Sequence, residues 1–132
     1  AVDQGEIAEL QALARNETGI AIFVVRSLAP DGIQAIPGGI PGAPRSPGSP
    51  ASGIVISADT LCYRPWDSLA RVTMRTLAAH MGLWDNLDPE GIADPIADTD
   101  ESRTNLMFFS EFGGTELSEQ QRRVLSLFPG LR

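Results

Sequence analysis

The chain has 132 residues, 42% hydrophobic and 20% charged, with a net charge of −7. That length suits one domain with one core, residues 1–132, and the balance is that of a folded chain rather than a disordered one. An acidic surface repels phosphate backbones, so nucleic acid is not an expected partner. No apolar run approaches the roughly 18 residues a spanning helix needs.

All ten basic residues are arginine, which is read as codon usage rather than function. The opening AVDQGEIAEL has neither a basic nor an apolar leader region, so no signal peptide is expected in it. Residues 4–15 carry Ile7, Leu10, Leu13 and Ala14 at helical spacing, which predicts a first amphipathic helix. Asn16-Glu17-Thr18-Gly19 ends it. Ile20 to Val25 is a continuous, β-branched apolar run, the pattern of a strand buried on both faces. Residues 32–36 predict a short second strand.

Between Pro37 and Gly53 lie five prolines and five glycines in seventeen residues. Such a stretch supplies neither ladder donors nor helix, so 37–53 is expected as a surface loop within the same domain. It is either a passive loop or an arm that binds a partner through extended backbone. Residues 53–57 predict a third strand. Cys62 has no partner for an internal disulfide and no neighbouring ligands, and is expected to be a buried, inert thiol.

Pro65 suits the first position of a helix. The helix body is expected from Trp66 to about Met81, with Trp66, Ala70, Met74, Leu77 and Met81 as its apolar stripe and Gly82 as its stop. From Asp85 to Glu101 there are seven acids and no base, with Pro89 and Pro95 among them, which predicts a loop. Asn105 to Phe109 is a short apolar segment, and Gly113-Gly114 marks a turn. A last helix is expected over 117–128, with Ser118 as N-cap, Gln121 completing a capping box, and Val124, Leu125 and Phe128 as its apolar face.

The chemistry is concentrated at the end of the long helix, Arg75-Thr76-Leu77-Ala78-Ala79-His80-Met81-Gly82-Leu83-Trp84-Asp85. Set against the zinc-protease pattern His-Glu-x-x-His-x-x-Gly-x-x-His/Asp, Gly82 and Asp85 fall in register. Arg75 and Ala79 stand where the two helical histidines belong, and Thr76 where the glutamate belongs. Arginine stays protonated and alanine has no donor atom, so neither ligates zinc, and threonine is no general base.

With the order of its elements, the chain resembles the metzincin clan, and more narrowly the secreted bacterial pappalysin-like zinc proteases, over residues 20–132. Asp94-Pro95-Ile96-Ala97-Asp98-Thr99 resembles the loop after the zinc motif. Asn105-Leu106-Met107 resembles the Met-turn, which would make Met107 the floor of the site, and Leu117 to Gln121 resembles the start of the C-terminal helix. The resemblance implies an α+β zincin domain, with a small mixed sheet packed on the helices at 4–15 and 66–82. It also implies an extracytoplasmic location.

The departures at Arg75, Thr76 and Ala79 imply a pseudoenzyme that holds no zinc. Its expected role is a structural or protein- and peptide-binding module, with other protein chains as partners in a larger assembly. Arg75 is expected to pair with Asp85, its charge taking the place of the ion. The alternative is an active metallopeptidase with an unorthodox site including His80 and Asp85, although a lone histidine near a helix end more often packs or caps. Calcium has weak candidate ligands in Asp85, Asp88, Glu90 and Asp94.

Overall fold

Three short strands form one mixed sheet: β1 (Ile22–Val25), β2 (Ala35–Pro37) and β3 (Ile54–Ser57), in the order β1-β3-β2. A computed structural model of the chain describes residues 1–14, 19–38, 53–86 and 102–129. β3 runs parallel to β1 (Ile22 opposite Ile54) and antiparallel to β2 (Ile36 opposite Val55). As the central strand, β3 is buried along its whole length, as its Ile-Val-Ile core favours.

Alternation along β3 divides the core. Val55 faces a cluster with Ile7 of helix α1 (Gln4–Ala12) and Leu28, against which Phe23, Val25 and Ile36 pack. Ile54 and Ile56 face Leu69 of helix α2 (Trp66–His80), with Ala35, Leu61 and Leu77 around them. The sheet is therefore covered by one helix on each side. A third cluster holds the C-terminal part. Ala78 at the end of α2, Leu83, Leu106 and Met107 are buried together, and Val124 and Leu125 of helix α3 (Glu119–Ser126) pack against them.

The helix ends follow local chemistry. Asp3 caps α1 through the Gly5 and Glu6 amides, and the Glu6 side chain closes the box. Ser118 and Gln121 form the expected box at α3, which satisfies two otherwise orphaned donors. The small α+β architecture, the mixed sheet and the three helices agree with expectation.

Several details do not. β1 is an edge strand with alternating exposure, Ile22 and Val24 standing out to solvent. A continuous apolar run cannot distinguish a central strand from an edge strand, because that difference lies in the neighbours. The second strand lies at 35–37 rather than 32–36, and Pro37 is tolerated because β2 is the other edge. Pro65 is the N-cap of α2 rather than its first residue. Cys62 is exposed at the end of a 3₁₀ turn, Ala58–Cys62.

The largest correction concerns α2. Trp66 is 74% exposed and Met74 53%, with Ala70 between them also exposed, so the expected stripe faces solvent over its first two turns. The buried residues are Leu69, Arg71, Val72, Thr76, Ala78 and His80. Half of these are polar, and apolar counting discards polar residues.

Candidate functional site at the end of the long helix

Helix α2 ends as the glycine predicts. Gly82 has φ of 117°, a left-handed conformation that carries little steric penalty only without a Cβ. The Leu83 amide donates to Ala78 O at 3.0 Å and the Gly82 amide to Ala79 O at 3.1 Å, which closes a Schellman motif. Leu83 is thereby driven into the cluster with Ala78 and Met107. The chain then turns back beside the helix it has just left.

This turn brings residue 85 to residue 75. Arg75 Nε donates to Asp85 Oδ1 at 3.1 Å and Nη2 to Asp85 Oδ2 at 2.5 Å, a two-pronged ion pair. The expected pair forms. Its side chains are 23% and 41% exposed, so it is partly wet, and screening keeps its contribution nearer that of a surface pair than a buried one.

Ala79, one turn after Arg75, packs on the apolar cluster, and Thr76 is buried. Met107 is fully buried in that cluster. Asn86 fastens the returning segment to it: the Asn86 amide donates to Met107 O at 3.0 Å, and Asn86 Oδ1 accepts from the Phe109 amide at 3.2 Å.

Two residues to which sequence reading assigned no bonding role hold the turn at Met107. Arg71 is buried, and among the described residues no carboxylate bonds to it. Its Nε donates to Gly114 O at 2.9 Å, and its Nη2 to Leu106 O at 3.1 Å and Phe108 O at 3.2 Å. Nη1, on the far edge of the guanidinium, is buried without a hydrogen-bond partner. Burial lowers the Arg71 pKa from its ordinary value; the charge on Arg75 lowers it further, and Asp85 opposes both.

The glycine pair makes room for this. A methyl group on Gly113 would overlap the Arg71 guanidinium, and one on Gly114 would overlap the Thr104 carbonyl. The second position is Asn105. Its amide and that of Gln121 exchange hydrogen bonds at 2.9 and 3.1 Å, and Asn105 Oδ1 also accepts from the Met107 amide at 2.8 Å. The Gln121 of the capping box thus also ties α3 to the turn. The Gly-Gly pair and the box were visible in the sequence; the arginine and the asparagine that use them were not.

His80 is engaged elsewhere. Its Nδ1 lies 3.1 Å from Gly38 O, its Nε2 lies 3.5 Å from the Gly53 amide, and its ring packs against Phe128 at 6.0 Å between centroids. Asp85 meets Arg75. The alternative pairing of His80 with Asp85 for chemistry therefore has each member bonded to another group.

A separate network joins the sheet to the C-terminal part. Arg64 pairs through Nε and Nη2 with Glu111, whose Oε2 also accepts from Gln34 Nε2 at 3.1 Å. The hydrogen bond from Arg64 is the main cause that holds the Glu111 carboxyl below the usual carboxylate range. The Arg64 guanidinium lies 5.9 Å from the Tyr63 ring centroid and 5.6 Å from that of Phe112.

Zinc does not fit the residues at the motif positions. A guanidinium, a hydroxyl and a methyl group stand there, and both oxygens of Asp85 are taken by Arg75. Among the described residues, no group of three or more His, Cys, Asp or Glu converges to hold a metal ion. Of the calcium candidates, Asp88, Glu90 and Asp94 lie outside the described residues, as do Asp94 to Thr99 of the loop resemblance and most of the 37–53 excursion. Among the described residues, no helix is long and apolar enough to cross a membrane. Comparison with protein-family models, curated proteins and solved structures finds no match to this chain.

Proposed function

We propose that the chain is a degenerate metzincin-like domain, pappalysin-like in type, that acts without catalysis as a structural or protein- and peptide-binding module outside the cytoplasm. The observation that carries this reading is the Arg75–Asp85 pair. The first and last chemical positions of the zinc pattern meet across the Gly82 turn, and Met107, later in the chain, is fully buried as the resemblance implies, although Thr76 and Ala79 at the intervening motif positions supply neither base nor ligand. An ion pair does locally what a bound ion would do, holding the returning segment to the helix. The exposed Tyr63, Trp66 and Phe112, with Arg64 among them, have the composition of protein contact surfaces and support a binding role.

The reading is tested on the purified chain by metal analysis together with a peptidase assay run with and without chelator. Sub-stoichiometric zinc and no chelator-sensitive cleavage are expected. One zinc per chain with cleavage that a chelator abolishes contradicts the reading and favours the metallopeptidase alternative.

A further inference from the structure

We propose that the outer face of α2 is a docking surface for a second copy of this chain. The proposal rests on the protein-binding part of the reading above and commits that surface to one occupant. Trp66, Ala70 and Met74 follow one another at intervals of four residues and form one ridge along the helix. All three are exposed, Trp66 at 74% and Met74 at 53%. The apolar spacing marks this stripe for burial, yet the sheet takes the other face of α2, through Leu69.

The ridge fits its own copy. It carries a large side chain at each end and a methyl group in the middle, and none of the three is charged. Two such ridges packed side by side cross at roughly −50°, with axes about 8–10 Å apart. In an antiparallel crossing centred on Ala70, the small residues meet where the helices approach most closely. Trp66 of each copy then lies beside Met74 of the other, about 6 Å along the axis from the crossing. There the diverging helices leave room for large side chains, and a thioether against an indole ring is a favourable contact. A twofold arrangement of this kind uses the same patch on both chains and closes on itself.

The area agrees with a pair that forms and separates. Tyr63 and Phe112, 50% and 69% exposed and joined across the Arg64 guanidinium, extend the apolar surface beyond the start of α2. From the size of such side chains, the exposed parts of Trp66, Met74, Tyr63 and Phe112 amount to about 500 Å² per chain. The pair covers about 1,000 Å², the lower bound for a specific interface. Each chain also carries a net charge of −7, so association works against a mutual repulsion that salt screens. The dissociation constant expected from these opposing effects is on the order of 100 μM. At the dilution of an unfolding titration the chain is then a monomer.

The test is sedimentation velocity on the full chain from about 5 μM to about 500 μM, a range that brackets the expected constant, at low and high salt. A monomer–dimer equilibrium is expected, tighter at high salt. Trp66→Ser and Met74→Ser should each weaken it about tenfold, as loss of an anchoring side chain does. Val24→Ser removes a comparably exposed apolar side chain from β1 and should leave the equilibrium unchanged. The crossing is read separately by cross-linking at its centre. Because a helix places Cα atoms about 2.3 Å from its axis, facing Ala70 positions come within disulfide reach. In a Cys62→Ser background with a mild chemical oxidant, Ala70→Cys should give a covalent dimer and Val24→Cys should not.

A chain that stays monomeric across the range overturns the proposal. So does a dimer that Val24→Ser weakens and Trp66→Ser does not. A dimer that depends on Trp66 but is not cross-linked through Ala70→Cys overturns the antiparallel crossing. Metal content and peptidase activity are measured independently of oligomeric state, so each of these failures is distinct from failure of the pseudoenzyme reading.

Discussion

Arg71 and Arg75 stand one turn apart on the same helix and meet their charges in different ways. Arg75 reaches a carboxylate at the rim, where solvent shares the load. Arg71 is buried and meets three backbone carbonyls on the turn around Met107, with one nitrogen left over. The first is conspicuous in sequence because it stands in a motif. The second is conspicuous only in three dimensions, yet it holds more of the structure. A residue's position in a pattern and its share of the folding energy are separate matters.

The largest test of that contrast is Arg71→Met, which keeps an unbranched apolar stem and loses the bonds. Two buried carbonyls and one part-buried carbonyl would lose their donor, and the expected loss is roughly 3–5 kcal/mol of unfolding free energy in a urea titration. Arg71→Lys should recover only part of it, because an ammonium lacks the forked geometry.

Breaking the outer pair should cost less, and unequally. Arg75→Ala removes an ion pair but also relieves its repulsion of Arg71, for a loss of about 0.5–1 kcal/mol. Asp85→Ala leaves two arginines without their shared counter-charge and should cost about 1–2 kcal/mol, with salt reducing the difference. Equal losses would show that Arg71 does not feel Asp85.

The Arg64–Glu111 pair offers a third comparison, through pH. Glu111 has a lower pKa folded than unfolded, so its contribution is fully present above the ordinary carboxylate range. It is lost as pH falls through the depressed folded value. In Glu111→Gln the unfolding midpoint should be lower at neutral pH, and its decline at the acid end shallower. The smallest effect belongs to Trp66→Ser. Although tryptophan led the stripe expected from the sequence, it is exposed, and stability should change within about 0.5 kcal/mol.

Much of the fold was legible. The three strands, the long helix, its glycine stop and the capping box at Ser118 each rest on local chemistry that a single segment carries. What was missed depends on neighbours. β1 reads as a buried strand until its place at the edge is known. The buried face of α2 contains Arg71, Thr76 and His80, of which Arg71 and His80 meet groups from distant segments, and a scan for apolar spacing selects the opposite face. Cys62 has an unremarkable context in sequence, and its exposure at the end of the 3₁₀ turn shows only in the fold. At the site, the meeting of Arg75 with Asp85 was expected from the resemblance to the zinc pattern, in which the two hold its first and last positions. The clamps from Arg71 and Asn105 were not, because Arg71 bonds backbone carbonyls far along the chain and Asn105 bonds the side chain of Gln121 on another element.

The most direct test of the central claim is to write the missing chemistry back in. The chain carrying Arg75→His, Thr76→Glu and Ala79→His together supplies two helical ligands and a base, with Asp85 already in place across the turn. If the scaffold is a zinc domain that has lost its ligands, metal analysis of the folded variant should find about one zinc per chain, since three protein ligands suffice for such a site. Substituting Asp85→Ala in addition should abolish it. A triple variant that folds with helix content unchanged and still binds no zinc would contradict the account.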